Sequence, residues 1–134
     1  MMTYAVAYLS TAIVFFGLDF LWLGRVATGF YRSQLGDLMR ERPDLVAAGL
    51  FYLVYVAGIV YFAVSPALAG GGLRQAALSG AILGLIAYGT YDITNLATLR
   101  NWPLAMSLVD LAWGTLLTAT AATAGAWLTQ KILG

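Results

Sequence analysis

The sequence predicts an all-α integral membrane protein: a bundle of four transmembrane helices with an amphipathic interfacial segment between the first and the second. Three observations carry this. First, 61% of the residues are hydrophobic and 10% are charged, where a soluble domain carries roughly 25% charged residues, so most of the chain must face lipid. Second, four windows reach the roughly 20 apolar residues that a helix needs to cross the hydrocarbon: Tyr4 to Gly24, Leu45 to Ser65, Gln75 to Leu99 and Leu104 to Thr129. Third, the gaps between them hold helix-breaking residues. Pro66 and Gly70-Gly71-Gly72 are expected to stop the second span, Asn101-Trp102-Pro103 separates the third from the fourth, and Asp44 after Pro43 is placed to cap the second. Little chain is left over, so residues 1–134 read as one transmembrane domain.

In the first span, Met1-Met2-Thr3 lacks the basic n-region of a secretory signal, and the apolar run carries Asp19 in place of a small-residue cleavage site. This span is expected to be retained. The connection from Arg25 to Arg42 puts Tyr31, Leu35, Leu38 and Met39 on one side of a helix and Arg32, Ser33, Asp37, Arg40 and Glu41 elsewhere, the pattern of an amphipathic helix lying in the interface. A solvated loop with some helical character is the alternative. An even number of spans puts both termini on one side. The first and third connections hold Arg25, Arg32, Arg40, Arg42 and Arg100, against Arg74 and Lys131 on the terminal side. The positive-inside rule then places both termini on the non-cytoplasmic face. Trp22 and Trp102 would lie near the cytoplasmic interface, and Tyr4, Tyr8 and Trp127 near the other.

The residue inventory bounds the chemistry. The chain has no cysteine and no histidine, which excludes disulfides, thiolate chemistry, imidazole bases and the usual zinc or haem ligation by this chain. A net charge of +1 gives no reason to expect nucleic acid as a partner. The acids are the informative residues. Asp19, Asp92 and Asp110 lie inside predicted spans, whereas no lysine or arginine does. Each intramembrane carboxylate costs about 2.5 to 3.5 kcal/mol on insertion scales. Asp19 lies six residues before Arg25, Asp92 eight before Arg100 and Asp110 seven after Pro103. At about 1.5 Å per residue, all three sit roughly 9 to 12 Å in from the face that holds the first and third connections.

Their helix faces point toward packing. Ala76, Gly80, Gly84, Tyr88 and Asp92 recur every fourth residue, and Asp110, Gly114, Thr118, Ala122 and Gly125 form a similar stripe. Small-residue stripes let membrane helices approach closely, so Asp92 and Asp110 should face other helices; the first span has no such stripe. Tyr52 and Tyr55 bring phenols to a comparable depth. Thr94, Asn95 and Thr98 follow Asp92, and Asp-x-x-Trp occurs twice, as Asp19 with Trp22 and Asp110 with Trp113. Aromatic faces beside carboxylates hold organic cations, and rings of oxygen ligands hold hard metals or share protons. The plain structural alternative is that the tryptophans anchor at the interface, the polar groups bond helix to helix, and Arg25 and Arg100 lean inward to neutralise two acids. That would still leave one carboxyl unpaired, to be protonated or bound to something.

The runs Gly17-Leu18-Asp19-Phe20-Leu21-Trp22-Leu23-Gly24, Tyr91-Asp92-Ile93-Thr94-Asn95-Leu96-Ala97-Thr98-Leu99, Trp102-Pro103 and Asp110-Leu111-Ala112-Trp113-Gly114 resemble the bacterial membrane-protein family catalogued as domain of unknown function 2177. The resemblance covers essentially the whole chain. It implies a small bacterial protein of the inner (cytoplasmic) membrane and brings no activity with it.

The functional expectation is a membrane protein that binds or transports a cation or small amine near Asp19, Asp92 and Asp110, with Trp22, Tyr91, Asn95 and Trp113 completing the site. Four helices make a thin wall for a translocation path, so transport would call for a homodimer, with the glycine stripes as possible interfaces. Two alternatives stand beside it. One is an enzyme acting on a lipid or other membrane-embedded substrate through paired carboxylates or a divalent metal, although no nucleophile motif or phosphate-binding lysine is visible. The other is a structural or accessory membrane subunit.

Overall fold

The computed structural model covers residues 1–134. It is helical throughout, with no strands: α1 (Met2–Leu21), α2 (Thr28–Leu35), α3 (Leu45–Ile59), α4 (Gly72–Thr98) and α5 (Leu104–Leu133). Three helical stretches are long and apolar enough to cross a membrane, namely Met2–Leu38, Leu45–Thr98 and Leu104–Leu133.

The joints follow from local sequence. A π-type turn over Trp22–Ala27 carries α1 into α2, and the helix ends at Gly36 with φ +56°, a left-handed conformation that glycine adopts without a Cβ penalty. The connecting helix is therefore shorter than the Arg25–Arg42 pattern suggests. Asp44 caps α3 by accepting a hydrogen bond from the Ala47 backbone N–H at 3.0 Å. Pro66 does not stop the helix that follows. π-type turns on both sides of it, at Val60–Val64 and Ala67–Gly71, absorb the missing N–H and the ring's bulk. The break falls later, at Gly70 (φ +130°) and Gly72 (φ +79°). Asn101 at φ +60° and the extended backbone of Pro103 separate α4 from α5.

Packing centres on α5, which makes its most extensive contact with α4 and its next with α1. The small-residue stripes are what make these contacts close. A Cβ on Gly80 would meet the Thr118 carbonyl and Ala119, one on Gly84 the Gly114 carbonyl and Thr118, one on Gly114 the Tyr88 ring, and one on Gly125 Thr11. Both stripes are thus occupied within a single chain. The buried interior is mostly small or short: Ala7, Ala63, Ala76, Ala121, Ala122, Ala126 and Thr118, with Phe15, Ile59 and Leu117 as larger members. Leu50, Val54, Ile82, Leu85, Ile86 and Leu116 point outward and are exposed. Large apolar groups outside and small ones inside is the arrangement expected where lipid is the solvent.

The helix α3 attaches unevenly. The Val60–Val64 turn that follows it packs on α1, α4 and α5, whereas α3 itself packs on α1. Between Phe51, Tyr52 and Tyr55 at its middle and the α4/α5 pair a cavity opens.

A candidate cation site between the helices

The cavity has a volume of about 540 Å³ and lies at the end of the molecule that holds the first and third connections. Every helix contributes to its wall: Asp19 from α1, Trp22 and Leu23 from the π-type turn, Tyr31 from α2, Phe51, Tyr52 and Tyr55 from α3, Ala87, Tyr88, Thr90 and Tyr91 from α4, and Asp110 and Trp113 from α5. The lining is largely aromatic, carries two carboxylates, and includes no lysine or arginine.

The polar groups on the wall form a connected set. Trp22 and Trp113 stack with ring centroids 4.4 Å apart and planes within 10°. The Trp113 Nε1–H donates to Asp19 Oδ1 at 3.2 Å. The Trp22 Nε1–H donates to Tyr31 Oη at 3.0 Å, and Tyr31 Oη–H in turn donates to Asp110 Oδ1 at 2.7 Å. The two Asp-x-x-Trp motifs therefore exchange partners. The tryptophan three residues after Asp110 serves Asp19, and the one after Asp19 serves Asp110 through a tyrosine. Tyr52 lies beside Asp19, and Tyr55 shares a hydrogen bond with Thr118 Oγ1 at 2.9 Å. Edge-to-face contacts from Phe15 to Tyr52 and Tyr55, and from Tyr55 to Tyr88, fix the tyrosine rings.

Of the residues expected to form a site, Asp19, Trp22, Tyr91, Asp110 and Trp113 line this one cavity. Tyr91 is half-exposed and packs edge-on against Trp102. Asp92 does not reach the cavity wall. It is fully buried behind it, with the Asp110 carboxyl as its neighbour, and neither of its oxygens receives a hydrogen bond. Asn95 stands further along α4, away from the cavity, and the Thr98 hydroxyl bonds the Thr94 carbonyl of its own helix. No arginine or lysine stands against Asp19 or Asp92. The carboxylates also do not converge as a ligand set for a metal ion. The residue that sequence reading put elsewhere is Tyr31. It belongs to the apolar side of the connecting segment, but the segment folds back over the end of α5 and brings the phenol to Asp110.

No curated protein and no solved structure matches the chain. A family model described as "Predicted membrane protein (DUF2177)" matches residues 4–127. The chain belongs to that family.

Proposed function

We propose that this protein binds an organic cation, such as an amine or quaternary ammonium, in the cavity between α3, α4 and α5, with Asp19 and Asp110 as counter-charges and Trp22, Tyr91 and Trp113 among the aromatic walls. The observation that carries the reading is the composition of the cavity wall: two carboxylates among aromatic rings, and no base. Aromatic faces attract a cation by about 0.5 to 2 kcal/mol or more when it is desolvated. A carboxylate in a low-dielectric site favours a positive partner more strongly than it would in water. An aromatic wall also suits an organic cation better than a metal ion, which needs several converging oxygens.

The setting of this site is a four-span bundle in the inner membrane. At about 1.5 Å per residue the Leu45–Thr98 stretch, if straight, would run to about 80 Å, far beyond a hydrocarbon core of about 30 Å. Its break at Gly70 and Gly72 supports two crossings there, four in all. By the positive-inside rule the arginines of the first and third connections favour a cavity end toward the cytoplasm and termini on the other face. The Thr28–Leu35 helix, with Arg32 outward and Tyr31 inward, would lie at that interface.

Titration of the purified protein with tetramethylammonium, followed by tryptophan fluorescence, tests the reading, because Trp22 and Trp113 form part of the wall. Saturable quenching is expected, with affinity reduced at least about tenfold in Asp19→Asn and Asp110→Asn, the loss of a charged partner costing about 1.5 to 3 kcal/mol. Equal affinity in wild type and both variants would sink it.

A further inference from the structure

Asp92 is the one buried carboxyl that the cavity does not explain. Its side chain is 0% exposed and neither oxygen has a hydrogen-bond donor. Its acidic neighbour is the carboxyl of Asp110, which is itself an acceptor when ionised. Two ionised carboxylates facing each other away from water repel, and each loses its hydration. One added proton removes both penalties, because the protonated carboxyl donates to the other. The surroundings supply no other remedy. The ionisable groups near the pair are Tyr31 of α2, Asp19 of α1, Tyr52 of α3, and Tyr88 and Tyr91 of α4. None is a base, and the Tyr31 hydroxyl donates to Asp110, not to Asp92.

We propose that Asp92 and Asp110 hold one proton between them, and that a cation entering the cavity at Asp110 displaces it. The inference rests on the cation-binding reading of the same cavity and gives that site a coupling ion. Asp110 belongs to both structures, forming the cavity wall on one side and the carboxyl pair on the other. A positive charge beside Asp110 competes with the proton for the negative charge of the pair, so the proton leaves to water as the cation arrives. One positive charge enters and one leaves, the net charge of the site is unchanged, and no covalent bond other than O–H is broken. Such an exchange is the chemistry by which a proton gradient drives the release or uptake of a cation.

Calorimetric titration of the full chain in lipid nanodiscs with tetramethylammonium, in two buffers of different protonation enthalpy, reads the proton directly. The expected result is about one proton released per cation bound, with apparent affinity rising about tenfold per pH unit while the pair holds its proton. Asp92→Asn should bind with an affinity that no longer varies with pH and release no proton. Should that variant not fold, the wild-type infrared spectrum decides the point: a protonated carboxyl C=O band at neutral pH must bleach on adding tetramethylammonium. Heat that is identical in both buffers, or a carboxyl band that persists at saturation, overturns the exchange and leaves the cation site standing. The absence of any binding overturns both.

Discussion

Tyr31 shows how a single residue ties the cavity together. Its hydroxyl accepts from Trp22 and donates to Asp110, so it links the turn after α1 to α5, the bond to Asp110 spanning 79 residues of sequence. Tyr31→Phe removes both bonds and keeps the ring. Inter-helix hydrogen bonds in membranes are worth about 0.6 kcal/mol on average and up to about 1.7, so the variant should lose on the order of 1 kcal/mol of stability in denaturant titration. It should also weaken cation binding, because Asp110 is no longer held in place. Unaltered cation affinity would show that Asp110 is oriented by other contacts. The charges of the site are legible in the sequence, because an acid within an apolar span is costly enough to stand out. Tyr31 is not, because a tyrosine on the apolar side of an amphipathic pattern costs nothing, and its partner is set by how the chain folds back.

Among the helices, the small residues decide how closely α4 and α5 meet. Gly84→Ala would push a methyl group into the Gly114 carbonyl and Thr118, which are backbone and packed side chain. A loss of about 1 to 3 kcal/mol is expected, as for other overpacked sites. Gly58→Ala serves as the control, with nothing within 4 Å of an added Cβ; there the change should be neutral or mildly stabilising through helix propensity. Thermal melts of the two variants side by side check the contrast, and equal melting temperatures would contradict the packing described for α4 and α5. This interface is legible from the fourfold spacing of Gly80, Gly84, Gly114 and Thr118 alone. The behaviour near Pro66 is not. Whether proline ends a helix or is absorbed depends on the flanking turns, and here the π-type turns at Val60–Val64 and Ala67–Gly71 move the break to Gly70.

For the whole molecule, the arrangement turns on the number of crossings and on the cavity that they enclose. The chain contains no cysteine, so single cysteines report sidedness without background. Ser33→Cys and Asn101→Cys should react with a membrane-impermeant maleimide only from the cytoplasmic face, and Gly71→Cys only from the opposite one. Labelling of all three from the same face would rule out four spans. The helical class follows from composition and counting. The cavity itself does not, because it depends on α3 standing away from α4 and α5, and α3 is exposed at Leu45, Val46, Leu50, Phe51 and Val54. Tyr52 and Tyr55 alone mark the face of this apolar segment that opens onto the cavity.

The most direct test of the central claim is the melting temperature of wild type, Asp19→Asn and Asp110→Asn across a concentration series of tetramethylammonium, tetraethylammonium and sodium at matched ionic strength. At 100 times its dissociation constant a ligand that binds the folded state stabilises it by about 2.7 kcal/mol. Wild type should therefore melt several degrees higher with an organic cation and not with sodium, and both variants should lose that increment. A wild-type melting temperature that is flat in every cation, or one that rises equally in the two variants, would contradict the assignment of this cavity as an organic-cation site.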